Sequence, residues 1–123
     1  RMDIPRFHLA FPVHDLEQAR LFYTELLGCE IGRHANTWID FNLYGHQIVA
    51  HLSPNDCSLT KKNEVDGDDV PSRHFGVILP WDKWDQLANF LKDKDITWLI
   101  EPRIRFRDTP GEQGTFFHYR PKW

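Results

Sequence analysis

Residues 7–28 read FHLAFPVHDLEQARLFYTELLG, and the two halves of this stretch follow different periods. In the first half Phe7, Leu9, Phe11 and Val13 alternate with His8, Ala10 and Pro12. A period of two predicts a strand whose apolar set turns to a core. His8 and Ala10 then face the other way. From Asp15 the period lengthens. Leu16, Ala19, Phe22 (or Tyr23), Leu26 and Leu27 make one stripe of a helix. Asp15 is placed to cap its start, where a carboxylate accepts the orphan N–H groups of the first turn. Gly28 is placed to end it as the residue beyond the last turn.

Three extended pieces follow, over residues 30–34, 37–44 and 46–52, with Tyr44-Gly45 as a turn between the last two. Residues 5–53 thus read strand, helix, strand, strand, strand. Residues 54–73 are polar and rich in turn formers, which predicts a linker or exposed loop. The pattern then restarts. RHFGV at Arg73 repeats the spacing of FHLAF, and residues 74–79 alternate as the first strand does. Asp82 is expected to open a helix over residues 81–95, with Trp84, Leu87, Ala88 and Leu91 on one face. Residues 96–106 and 114–121 read as extended, with Pro102 marking an edge or bend. The two histidine strands are equivalent members of an internal repeat, offset by 66 residues (74 minus 8). The expectation is one α+β domain over 1–123, with modules over 5–53 and 74–123.

Composition narrows the function classes. A chain of 123 residues, 41% of them hydrophobic, can build a core. The formal net charge of -3 gives no electrostatic case for nucleic acid or an anionic membrane. No apolar run reaches membrane-spanning length, and RMDIPRFHLA lacks the apolar segment of a signal peptide. Two cysteines, Cys29 and Cys57, are too few for a disulfide scaffold and are expected as a buried thiol and a loop thiol in the cytoplasm. The expected partner is a small molecule.

The histidines carry the chemistry. His8 and His74 sit at matching repeat positions, on the strand face away from the helix. Neutral imidazole is a good ligand for first-row divalent metals, so the pair is a candidate metal site. His51 is a third candidate, since QIVAHLS places Gln47, Val49 and His51 on one strand face. A structural histidine, retained by both copies of a repeat, is the alternative. His14, His34, His46 and His118 fall at turns or strand edges and read as surface or capping residues. Asp40 and Asn42 share the strand face of Trp38 and are candidate substrate-binding groups, with a solvated face as the alternative. Glu101, Arg103 and Arg105 alternate, and Arg105 is a candidate for binding a substrate carboxylate bidentately, with a surface charge row as the alternative. Phosphate loops, CxxC pairs, HExxH motifs and a serine elbow are absent from the sequence, so no catalytic residue is assigned.

These residues together resemble a known family. The strand histidine, the D-L-x-x-A-x-x-F-Y helix and the L-G end are similar to the opening of the vicinal oxygen chelate superfamily: glyoxalase I, extradiol dioxygenases, and the bleomycin and fosfomycin resistance proteins. GHQIVAHLSP, VPSRHFGVIL and GEQGTFF continue the resemblance over nearly the whole chain. It implies paired βαβββ modules and a divalent ion (Fe, Zn, Mn or Ni) held by the first strand of each module and by further strands. His8 and His74 match the first-strand ligands. His51 falls where glyoxalase I has a glutamate. The implied activity is of the glyoxalase or dioxygenase kind, on a substrate with vicinal oxygens. A metal-free binding module of the bleomycin-resistance kind is the alternative, its pocket lined by Trp38 and Trp98, and an inactive remnant is a third reading.

The chain departs from the family at its end. The family continues past TFF with a D-P-x-G turn and a last strand bearing a glutamate ligand, where this sequence reads TFFHYRPKW. The second module is therefore expected to lack its last strand, and a homodimer is expected to cover exposed sheet edges. Three histidines without the carboxylate remain a reasonable zinc-type site. A single-base slip is one hypothesis for the ending: one codon choice for the last eight residues, less one T, reads Phe-Phe-Ile-Thr-Asp-Pro-Asn-Gly. Sequencing the gene is expected to show a T run across Phe116 and Phe117, and codons that exclude this alternative frame would sink the idea.

Overall fold

The computed structural model describes residues 4–57, 62–65, 68–71, 73–94, 98–105 and 113–118, with side chains for 4–57 and 73–94. The chain forms two compact units, divided at Ser58 and Leu59. Each is described by itself.

The first unit runs β1 (His8–Val13), α1 (Leu16–Leu21), a π-helical turn (Phe22–Leu26), β2 (Glu30–Ala35), β3 (Trp38–Leu43) and β4 (His46–Leu52). This is the predicted strand, helix, strand, strand, strand. The sheet order is β1-β4-β3-β2, with β1 parallel to β4 and the other pairs antiparallel. Parallel neighbours need a crossover, and α1, β2 and β3 fill it.

Local chemistry sets each junction. Asp15 is extended, and its Oδ1 accepts the Gln18 N–H at 2.9 Å, which caps α1. The single predicted helix changes form at Phe22. Thr24 Oγ1 donates to the Arg20 carbonyl at 2.7 Å, the acceptor that Thr24's own N–H takes in an α-helix. The Leu27 N–H then reaches back to the Phe22 carbonyl. The wider turn lets Phe22 and Tyr23 both be buried, where the spacing allowed one or the other. Gly28, at φ +70°, ends the helix as expected. Tyr44 and Gly45 both have positive φ and close a two-residue hairpin across Leu43 and His46.

The core lies between this helical segment and one sheet face. Phe11 and Val13 of β1, Ile39, Phe41 and Leu43 of β3, and Ile48 and Ala50 of β4 are buried with Ala19, Phe22 and Tyr23. Tyr23 is its hub, with ring centroids 5.6 Å from Phe11, 5.0 Å from Phe22 and 5.1 Å from Phe41. Each such pair adds on the order of 1 kcal/mol beyond area burial. Phe7 departs from the inward-facing set and is 62% exposed. It precedes the strand, and its N–H donates to His46 Nδ1 at 2.9 Å. Cys29 is buried, and burial pushes its thiol up to about 11. Cys57 is half-buried and donates to the Ser53 carbonyl, and neither cysteine is in a disulfide.

The second unit holds β5 (Lys62–Val65), β6 (Asp68–Pro71), α2 (Trp81–Lys92), β7 (Trp98–Arg105) and β8 (Gln113–His118). Three expectations need correction. The linker expected over 54–73 contains a 3-10 turn, Pro54–Asp56, and the antiparallel β5–β6 hairpin. The strand expected over 74–79 is not formed. In the first unit β1 is held by the β4 ladder from His8↔Gln47 to Val13↔Leu52. Among the described residues of the second unit no strand takes β4's place, and period-two patterning alone does not make a strand. Asp82 does not cap α2. Pro80 takes that position, and Asp82 lies in the first turn, where its charge meets the helix dipole.

The expected α2 stripe holds, with Ala88 and Leu91 buried and Trp84 and Leu87 half-buried. β7 and β8 pair antiparallel, as β2 and β3 do. The β7–β8 register shifts between Ile100 and Arg103, the step that contains Pro102. Among the described residues no helix is long and apolar enough to cross a membrane.

Asp15→Ala is expected to lower stability by about 1 kcal/mol through loss of the α1 cap. In urea unfolding this reads as a lower midpoint at unchanged slope.

Candidate functional site

The sheet face opposite the core carries the candidate residues of the first unit. Register places His8, Ala10 and Pro12 of β1 beside Gln47, Val49 and His51 of β4. Asn42, Asp40 and Trp38 of β3 follow on the other side of β4. This is the face that the alternation assigned to them.

A chain of polar contacts crosses the face at the His8 level. His8 Nδ1 lies 3.0 Å from Gln47 Oε1. Gln47 Nε2 donates to Asp40 Oδ2 at 3.0 Å. Arg33 Nε of β2 stands 3.9 Å from the same carboxylate oxygen. A group on each of the four strands therefore takes part.

Asp40 is 7% exposed and is the buried charged residue among the described side chains. A carboxylate taken out of water costs several kcal/mol unless hydrogen bonds compensate it. The Gln47 amide supplies that bond. Arg33 is 85% exposed, so its pairing is screened and weak.

His8 and Asp40 are thus brought to one cluster, through Gln47. His51 shares the face but not the cluster. It pairs with Pro12 and Trp38, four residues beyond Gln47, which is about 13 Å along the strand. Trp38 is half-buried at that far end. Asn42 is exposed, and its Oδ1 accepts the Gly45 N–H at 2.7 Å, which ties it to the hairpin turn. His74 is exposed and belongs to the second unit. Arg105 and Trp98 end and begin β7, and their side chains lie outside the described residues. Among the described residues no three His, Cys, Asp or Glu side chains gather closely enough to hold a metal ion.

His8 fits as a single metal donor. Its ring is exposed and one nitrogen is held by an amide oxygen, the arrangement that orients metal-bound histidines. Gln47 and Arg33 were not among the residues expected at the site. Period two put Gln47 on the His51 face, but its pairing with His8 depends on a register between strands 39 residues apart.

Comparison with known proteins gives a consistent pattern. The family model described as Glyoxalase/Bleomycin resistance protein/Dioxygenase superfamily matches residues 7–118. A crystal structure of a glyoxalase/bleomycin resistance protein/dioxygenase from Alicyclobacillus acidocaldarius is 30% identical, with a TM-score of 0.77 over 95% of this chain and 83% of that one. The fosfomycin resistance protein FosX from Listeria monocytogenes is 16% identical, with a TM-score of 0.66 over 98% and 89%. A mutant of that FosX, complexed with Mn(II) and 1S,2S-dihydroxypropylphosphonic acid, is 15% identical at TM-score 0.64 over 98% and 88%. At these identities the FosX structures are alike in fold. No curated protein matches the chain.

Proposed function

The chain belongs to the Glyoxalase/Bleomycin resistance protein/Dioxygenase superfamily, and we propose that it is a divalent-metal-dependent enzyme acting on a small substrate with neighbouring oxygen atoms. The observation that carries this reading is His8: a ring on the open sheet face, held at one nitrogen by Gln47 and, behind it, by the buried Asp40. A fold neighbour complexed with Mn(II) and a phosphonate bearing adjacent hydroxyls supports a divalent ion and a ligand with neighbouring oxygens as the reading for this fold.

His8 is the metal donor of the first module, and His74 is its repeat equivalent in the second. The β4 register sets His51 apart from His8, so His51 is assigned to the lining of the same face rather than to the ion. When bound, the ion (Fe, Zn, Mn or Ni) supplies Lewis acidity to two neighbouring substrate oxygens. Trp38 offers an apolar wall at the His51 end of the face. Asp40 holds Gln47, and Arg105 is the proposed partner of a substrate anion. No side chain is assigned as the catalytic base.

Metal per chain is the deciding measurement, on protein purified without a nickel column. Near-stoichiometric metal is expected in the wild type and in His51→Ala, and its loss in the His8→Ala/His74→Ala double variant. A wild type that stays metal-free after reloading would sink the proposal and favour the metal-free binding module.

The same family reading implies a homodimer, supported by fully exposed Ile78 and exposed Trp81 in the second unit. Light scattering is expected to return twice the chain mass, and a strict monomer counts against it.

A further inference from the structure

Gln47 touches two groups at once, and only one orientation of its amide satisfies both. A carboxylate accepts hydrogen bonds and donates none. The amide atom 3.0 Å from Asp40 Oδ2 must therefore be the nitrogen, which leaves the oxygen facing His8. An amide oxygen only accepts. His8 Nδ1, 3.0 Å away, must carry the hydrogen. A neutral imidazole has one N–H, so the lone pair is on Nε2.

We infer that Gln47 and Asp40 are positioning residues that lock the neutral His8 ring as its Nδ1–H tautomer and present Nε2 as the metal donor. The purpose of the lock rests on the metal reading above, whereas its geometry does not. Neutral imidazole side chains in water favour the opposite tautomer. A relay that holds the rarer one keeps the outward nitrogen ready to ligate. The neighbouring ring has the reverse arrangement. His46 Nδ1 accepts the Phe7 N–H at 2.9 Å, so its hydrogen is on Nε2. His8, paired with Gln47, and His46, the residue before Gln47 on β4, are held in opposite tautomers by what faces their Nδ1 atoms: an acceptor for His8, a donor for His46.

Long-range proton–nitrogen NMR of the full, metal-free chain, labelled at its histidine nitrogens, tests the assignment. The measurement is made about 1.5 units above the ordinary imidazole pKa, where free imidazole is neutral. The wild type is expected to show His8 as Nδ1–H and His46 as Nε2–H. In Gln47→Leu, His8 is expected to revert to Nε2–H while His46 and the far-ultraviolet circular dichroism stay unchanged. Asp40→Asn, whose amide presents either a donor or an acceptor to Gln47, is expected to populate both His8 tautomers. Zinc titration of Gln47→Leu is expected to show affinity lowered about ten- to a hundred-fold.

A wild-type His8 in the Nε2–H form overturns the inference without need of any variant. So does a Nδ1–H form that persists in Gln47→Leu. A pure Nδ1–H signal in Asp40→Asn removes Asp40 from the relay. A wild type that takes up no zinc overturns the metal reading instead, and the tautomer result still decides the lock.

Discussion

The parallel pairing of β1 with β4 is the constraint on which the first unit depends. It is non-local, joining residues 8–13 to residues 47–52 across a helix, a π-helical turn and two strands. It decides which residues of β1 reach the core and which meet β4 side chains on the opposite face. A slip of one residue would send Phe11 and Val13 to the outer face and take His8 away from Gln47. One contact at its start helps hold the register: the Phe7 N–H donates to His46 Nδ1, 39 residues along the chain. His46, which the sequence suggests as a surface or capping residue, is half-buried, and its ring ties down the chain just before β1.

The outer face is not built for stability alone. Asp40 is buried where an apolar residue would pack without a desolvation cost. Its carboxylate is held by an amide whose other end meets a histidine. Proteins that keep a costly polar group inside a sheet commonly do so at functional positions, where local rules yield to chemistry. Sequence periodicity placed Asp40 on this face beside Trp38 and Asn42 but did not reveal its burial, because burial comes from the neighbours on β2 and β4. Asn42 has the same alternation and a different fate, since it stands next to the turn and caps it.

The second unit shows where pattern reading runs out. Residues 74–79 alternate as cleanly as β1, yet they form no strand. A period-two segment becomes a strand only when a neighbouring strand supplies its ladder. The polar, turn-rich run after Ser53 read as a linker, yet it contains the β5–β6 hairpin. Four-residue strands leave too short a period to see in a polar sequence. Asp82 had the residue type of a cap but sits one position inside the helix, behind Pro80 and Trp81.

The amino-acid sequence by itself determined the elements and faces of the first unit, because periods of two and 3.6 are local properties of a backbone. It also determined the helix cap at Asp15 and the turn at Tyr44-Gly45. The tertiary structure alone decided which outer-face residues touch. His51 and Gln47 are indistinguishable by alternation. The register of a parallel pair sets Gln47 against His8 and leaves His51 about 13 Å farther along the strand. That register is settled by packing between segments far apart in the chain, which no local period encodes.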